Sequence, residues 1–408
     1  MLVLLLINIG YLLSTIGASH LNSFFNIYAL EEKSLSSTEY GVIMACYWVT
    51  LVVMAPLVAM VVSMKIFTEK ALLLIGWTID GVFCLILSLT NRLDSGMPFF
   101  VGFLIIRTLQ AFGCTMGFVM PYVIVGVELE RIKHIAIPLL ETIFGAASVG
   151  GPALSGYLFD TGGFVLPYLV LGSLMMALLF LGLFLFPGPQ PQPPGVAKQE
   201  SLGVAASLQP TVIVDLLCVF SSFILITSNE TTLARQLNIE FGMSATESGS
   251  LFLFAAGSYS LSGLLSGYLS KIIADARYFV LFGQLVTIVA LVLQGPLIEM
   301  EQTEGVVILA QIMLGIGTGP SYVCSYLHSL KYLSERVQNK DPYAALSALY
   351  TPGASSGSSL GPFVAGIIIQ HYAYETMIAF NVAQTAVTSL LLASIIFVQR
   401  NSSQAQKS

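Results

Sequence analysis

Four ionisable residues lie inside long apolar stretches of this 408-residue chain: Asp80, Arg107, Glu141 and Glu230. A charge in a segment that faces lipid is costly unless it is paired or hydrated, so each of these positions marks a candidate site of charge chemistry. Glu230 comes first. A carboxylate in a partly hydrated interior holds a cationic amine or a proton, but not both comfortably, and this competition is the simplest physical basis for exchanging one for the other. The plainer reading places Glu230 near the end of its helix in interfacial water. Arg107 needs a buried partner or backbone carbonyls, and Gln110, three residues on, shares its helix face. Glu141 fits a gate or proton relay, or a hydrogen bond to a neighbouring helix or loop. Asp80 reads as a packing or snorkelling residue, and Asp215 as one at the membrane surface. His20 could titrate at mildly acidic pH, although a lone histidine near a helix end more often forms an interface hydrogen bond.

Other chemistries find no support. No Cys/His/carboxylate cluster has metal-ligand spacing, and no nucleophile–base constellation suggests an enzyme. A phosphate-binding Gly-x-x-x-x-Gly-Lys-Ser/Thr loop is missing, so the chain carries no engine for nucleotide-driven work. The Gly-rich run 315–319 lies within an expected helix and reads as close packing or a bend. Cys46, Cys84, Cys114, Cys218 and Cys324 all fall in apolar runs, as small packing residues without a disulfide framework. Nothing suggests nucleic acid.

The elements that must position these residues follow from composition. Hydrophobic residues make up 56% of the chain and charged residues 9%, with a mean hydropathy of +0.85. A water-facing surface needs far more charge, so the surface lies in lipid. The apolar runs suit helices of about 20 residues, long enough to cross a ~30 Å hydrocarbon layer. The first expected helix covers residues 1–30 and leaves almost no tail before it, as in a short isoform. It lacks the basic region and cleavage site of a signal peptide.

The Pro/Gln/Gly-rich stretch 188–210 bisects the chain as a linker. Residues 1–187 form an N-terminal bundle of six helices, residues 211–399 a second bundle of six, and 400–408 a tail. With both termini in the cytoplasm, twelve Lys/Arg residues fall on the cytoplasmic side and three on the other, the asymmetry that the positive-inside rule expects. The sequons at Asn229 and Asn401 then lie in the membrane and the cytoplasm, where neither is glycosylated.

The halves resemble each other. Gly151-Pro152 and Gly156 in helix 5 answer Gly361-Pro362 and Gly366 in helix 11, with the Gly-Pro pairs 210 positions apart. Thr38-Glu39 at the start of helix 2 answers Thr246-Glu247 at the start of helix 8, 208 positions on. Two matches at nearly one offset indicate a duplicated unit. Two similar bundles can rock about a central site and expose it to each side in turn. Small residues and a bend at proline suit helices that slide and reclose, although tight static packing uses the same residues.

The Gly151-Pro152-x-x-Ser155-Gly156 stretch resembles the helix 5 antiporter motif of the major facilitator superfamily, and Arg107-x-x-Gln110-x-x-Gly113 resembles its helix 4 motif. The block from Leu140-Glu141 to Pro167-Tyr168-Leu-Val-Leu-Gly172 resembles the vesicular amine transporter family, in particular its polyamine branch. Glu230-Thr-Thr-Leu stands where that family has an acid followed by Pro-Thr-Leu, and Asn8 resembles the helix 1 Asn of the polyamine branch. The monoamine branch's acids in helices 1, 10 and 11 are missing, with Thr351 near one of these positions, and the superfamily's loop 2–3 signature is degraded to Ala59–Lys65. The resemblance implies an all-α major facilitator fold of twelve transmembrane helices in two pseudo-symmetric six-helix bundles.

It also implies proton-coupled antiport of a small organic cation, a polyamine or amine, by alternating access. The proton gradient is the driving force and no cofactor takes part. Substrate or proton contacts are expected at Glu230, Asn8, Arg107, Gln110 and Glu141, with Gly151, Pro152, Gly156, Gly361, Pro362 and Gly366 on the gating helices. The expected partners are the cation, protons and the lipid bilayer, and the protein is expected to be a monomer in a vesicle or plasma membrane. Two alternatives stay open: a uniporter or exchanger of a neutral or anionic solute, and a non-transporting receptor or assembly protein that retains the fold.

Overall fold

The computed structural model describes residues 2–64, 66–128, 133–186, 204–270, 272–273, 275–295, 297, 301–336 and 342–405. Among these are twelve helices of 18 residues or more. The first six are α1 (Leu2–Ser19), α2 (Ser37–Ser63), α3 (Glu69–Leu89), α4 (Met97–Glu128), α5 (Lys133–Gly162) and α6 (Val165–Leu185). The rest are α7 (Pro210–Phe241), α8 (Ala245–Leu269), α9 (Arg277–Gln294), α10 (Glu304–Arg336), α11 (Tyr343–His371) and α12 (Tyr374–Ala405). Ten of them are long and apolar enough to cross a membrane. The other two, α5 and α11, carry the Gly/Ser-rich runs. Outward-facing side chains such as Phe184, Leu261, Leu264 and Leu390 are apolar and exposed, as a lipid-facing surface requires. All five cysteines are free thiols. The expected linker lies outside the described residues up to position 203.

Local sequence sets the helix ends. Ser36 and Glu39 form a capping box at the start of α2: Ser36 N–H donates to Glu39 Oε2 at 2.8 Å, and Glu39 N–H donates to Ser36 Oγ at 3.2 Å. Ser244 and Glu247 repeat the arrangement at the start of α8, at 2.8 and 3.3 Å. The Thr-Glu repeat in the sequence thus marks a reused helix start. At the other ends, Gly163 after α5 and Gly242 after α7 both have φ of +67°, a left-handed conformation that ends a helix at little cost when the residue is glycine.

The first helix is shorter than the sequence suggests. It stops at Ser19, passes through a 3-10 turn (His20–Asn22), and resumes as short turns Phe25–Ile27 and Tyr28–Glu32. The reason lies in its last carbonyls, which no longer meet an N–H of their own helix. Arg107 donates to the carbonyls of Gly17 and Ala18 at 3.0 and 3.1 Å, and Ser155 Oγ donates to that of His20 at 2.7 Å.

The chain forms two compact units. Unit 1 contains Met1–Gly195, Glu230–Leu253 and Pro362–Gln370; unit 2 contains Val196–Asn229, Phe254–Gly361 and His371–Ser408. In unit 1 an aromatic core of Phe24, Phe25, Tyr28, Phe99, Phe103 and Phe164 lies beyond the break in α1. In the same unit α5 meets the start of α8 through backbone: a Cβ on Gly156 would collide with the carbonyl of Ala245, and one on Gly249 with that of Pro152. The contact of α2 with α11 repeats this, with Gly41 against the carbonyl of Pro362 and Gly366 against that of Ser37. In unit 2, Gly361 on α11 abuts Thr227 and the Ile224 carbonyl of α7.

Candidate functional site

The break in α1 brings asparagines onto α7. In unit 1, Asn22 Nδ2 donates to Glu230 Oε2 at 3.0 Å, and Asn26 Nδ2 donates to the carbonyl of Thr231. Glu230 is partly accessible, and among the described residues no Lys, Arg or His forms an ion pair with it. Asn26 Oδ1 is buried there without a hydrogen-bond partner, and the buried Tyr40 hydroxyl lies beside the Asn26 amide and within electrostatic reach of Glu230. An unpaired carboxylate beside a buried amide oxygen that has no partner can hold a donor ligand. A carboxylate, an amide oxygen and a phenol oxygen all accept, whereas an ammonium group offers three donors and no acceptor. Asn22, Asn26 and Tyr40 are absent from the candidates read off the sequence, because nothing in a one-dimensional pattern reveals the break in α1.

Arg107 and Gln110 come together as their spacing predicts, and they recruit Asp80. Arg107 Nη1 donates to Gln110 Oε1 at 2.6 Å, and Gln110 Nε2 donates to Asp80 Oδ1 at 3.1 Å. Ser14 Oγ donates to Asp80 Oδ2 at 3.3 Å, and the guanidinium lies 4.4 Å from the centroid of the Tyr47 ring. Asp80 is 3% exposed and Arg107 is 2% exposed. The snorkelling alternative for Asp80 is thereby overturned: its carboxylate points into the unit, where the Arg107 charge reaches it through the Gln110 amide. Arg107 is committed to the end of α1, where a cation also complements the helix dipole.

The remaining candidates are dispersed. Asn8 lies near the start of α1, fourteen residues and about 20 Å of helix before Asn22, with a buried Oδ1 that has no partner. The Glu141 side chain lies outside the described residues. His20 is fully buried at the end of α1, with Nδ1 on the Gly17 carbonyl at 2.8 Å and its ring edge-on to Tyr168. In unit 2, Asn229, Gln294 and Gln311 form a closed ring of neutral hydrogen bonds between 2.7 and 3.1 Å, and Gln294 Nε2 also donates to the Tyr374 hydroxyl at 2.7 Å. This network supplies its own donors and acceptors and so needs no ligand. Asp215, expected at the membrane surface, is fully buried among protein groups near the start of α7.

Twelve long helices, with the Gly-Pro helices α5 and α11 packed on α8 and α2, describe a duplicated membrane bundle. The model of the Major Facilitator Superfamily matches residues 7–338 and, in a second overlapping match, 216–408. The chain belongs to the Major Facilitator Superfamily. It is a multi-pass membrane transporter of that superfamily. It is similar to the MFS-type transporter SLC18B1 of Mus musculus, at 24% identity over 89% of this chain and 79% of that protein. The Homo sapiens protein of the same name is 21% identical over 93% of this chain and 82% of its own length. Among solved structures, a bacterial homologue of the human lysosomal transporter Spinster, in an inward-facing and occupied conformation, shares the fold. It has a TM-score of 0.76 at 16% identity, covering 98% of this chain and 96% of that one. The nucleoside transporter NupG follows with a TM-score of 0.67 at 13% identity, covering 97% and 99%.

Proposed function

We propose that this transporter exchanges protons for a small organic cation, an amine of the polyamine class, by alternating access. The observation that carries the reading is Glu230: a carboxylate inside unit 1 with no basic partner among the described residues, beside the Asn26 amide, whose Oδ1 has no partner, and the Tyr40 hydroxyl. An ammonium group bound there donates to all three acceptors and neutralises the carboxylate. A proton on Glu230 neutralises the same charge and removes the ion pair that holds the amine. Amine and proton therefore displace each other, and the transporter crosses with one or the other. The resemblance of the helix 5–6 block to the vesicular polyamine branch supports the same substrate class.

The remaining parts take supporting roles in this reading. Arg107 and Gln110 hold the end of α1 so that Asn22 and Asn26 face α7. The glycines and prolines of α5 and α11, Gly151, Pro152, Gly156, Gly361, Pro362 and Gly366, let backbones meet closely where the path opens and closes. Asn8 and Glu141 lie on the route of the cation or proton. Both termini face the cytoplasm, in a vesicle or plasma membrane, and the transporter works as a monomer.

Uptake of labelled spermidine into proteoliposomes tests the reading, with and without an inside-acid gradient. Wild-type protein is expected to accumulate spermidine only with the gradient, and Glu230→Gln to lose that accumulation. Uptake unaffected both by Glu230→Gln and by collapse of the gradient would overturn it.

A further inference from the structure

A second buried carboxylate lies in unit 2, away from the Glu230 site. Asp215, five residues past the start of α7, is buried. Its Oδ2 accepts from His328 Nδ1 at 2.7 Å and from Ser329 Oγ at 2.8 Å, both on α10. Ser329 Oγ in turn lies 2.8 Å from the Tyr350 hydroxyl of α11, which donates to the Ser325 carbonyl at 2.9 Å. Asp215 Oδ1 is buried without a partner. The His328 side chain keeps 11% of its surface accessible, against 1% for that of Asp215. Three helices thus converge on one carboxylate, and only the imidazole reaches out of the cluster.

We propose that Asp215 and His328 form a proton-binding site separate from Glu230, with His328 Nε2 as the atom that takes the proton. With neutral imidazole the cluster carries the full charge of Asp215 in the protein interior, which is unfavourable. One proton added at Nε2 forms an N–H bond, makes the imidazolium and brings the cluster to zero charge. The Nδ1–H···Oδ2 bond stays in place in both states, so no partner has to move. Histidine is the side chain that changes charge most readily between pH 5 and 8, and the partly accessible His328 imidazole is the entry point.

The groups packed around the pair agree with this. Cys218 on α7, Tyr332 on α10 and Tyr350 on α11, a thiol and two phenols, surround the pair. Tyr322 and Tyr326 stand edge-on to Tyr350. Asp275, between α8 and α9, lies within electrostatic reach of His328, but its charge is matched by Arg277 at 2.6 Å. Lys331 and Arg336, the latter stacked on Tyr332 at 3.9 Å, follow His328 on α10, and their positive charge opposes its protonation. Asp215, in direct contact, outweighs it.

The site deepens the proton-exchange reading, yet its test involves no amine. Protein labelled with ¹⁵N-histidine, purified in nanodiscs, is followed by ring ¹⁵N NMR from pH 5 to 8, with His328→Gln identifying the resonance among the four histidines. In wild type, the His328 Nε2 signal is expected to titrate while Nδ1 keeps its proton throughout. The isosteric Asp215→Asn variant is expected to lose that titration within the same window. A wild-type His328 ring that stays in one protonation state from pH 5 to 8, or one that titrates identically in Asp215→Asn, overturns the proposal. Because the wild-type titration alone can overturn it, a poorly folding variant leaves it exposed to refutation. Failure of spermidine uptake would strike the function proposed above without touching this result.

Discussion

Asp160, at the end of α5, caps the first turn of α8: its Oδ2 accepts the backbone N–H of Thr246 at 2.8 Å and the Thr246 hydroxyl at 2.5 Å. The second half repeats the device 210 positions later, where Gln370 Oε1 on α11 accepts the backbone N–H of Ser37 at the start of α2, at 2.8 Å. Each of the two Gly-Pro helices satisfies, near its own end, a free N–H at the start of another helix, one turn past the glycine that meets that helix's backbone. The two caps differ in charge, and the carboxylate suits the positive end of a helix better than the amide does.

Asp160→Ala is therefore expected to lower the melting temperature of the purified transporter by about 1–3 °C, the scale of a lost N-cap. Asp160→Asn keeps an acceptor and should lose less. Gln370→Ala should fall between the two in a thermal-shift series recorded at one detergent concentration.

Glycine substitutions separate close packing from mere helix propensity. Gly156→Ala places a methyl group against the Ala245 carbonyl and should destabilise by about 1–3 kcal/mol, the usual size of overpacking. Gly150→Ala, on the same helix, meets nothing within 4 Å and should be neutral or stabilising by about 0.5–1 kcal/mol. Equal effects of the two in unfolding experiments would contradict the backbone contact between α5 and α8.

The Asp80–Gln110–Arg107 chain should behave as a buried charge network. Asp80→Ala leaves Gln110 Nε2 and the Arg107 charge unmatched, at a cost of about 3–5 kcal/mol. The double variant Asp80→Leu/Arg107→Met removes both charges and is expected to regain part of that loss, measured as resistance to heating before size-exclusion chromatography. A double variant no better than the sum of the single variants would show that Arg107 acts on α1 alone.

Amine recognition makes its own prediction. Tyr40→Phe and Asn26→Leu each remove one oxygen acceptor beside Glu230. A hydrogen bond to a charged group contributes about 1.5–3 kcal/mol, so each variant should weaken spermidine binding by roughly tenfold or more. Isothermal titration of the solubilised protein measures this directly, and unchanged affinity in both would remove these oxygens from the site.

Asp275 gives a pH dependence with a definite sign. Burial pushes its carboxyl up, but the bonds from Arg277 Nε and Nη2 outweigh burial and hold it below the usual carboxylate range. A lowered folded-state value means that the stabilisation is present above the unfolded value and is lost as pH falls through the folded one. The stability gap between wild type and Asp275→Asn should be on the order of 1 kcal/mol at pH 7, given partial exposure to solvent. It should close as pH falls below the ordinary 3.8.

Composition alone placed this chain in a membrane, because a surface with so little charge cannot face water. The apolar runs separated twelve helices, since crossing a bilayer demands runs of a length that sequence displays directly. Ser36/Glu39 and Ser244/Glu247 were legible as a repeat for a similar reason: a capping box acts over three residues. Arg107 and Gln110 shared a face by helical spacing alone. Glu230 stood out because an acid in an apolar run is conspicuous wherever it folds. Its partners were invisible, because Asn22 and Asn26 reach α7 only where α1 stops, and α1 stops where Arg107 and Ser155, from two other helices, take its carbonyls. The polar partners of Asp80 and Asp215 were hidden for the same reason. Which polar groups meet a carboxylate on a helix depends on what other helices bring to it, and those contacts span 30 and 113 positions here. Local propensity and hydropathy act over a few residues, and the pairing of buried polar groups is settled by packing.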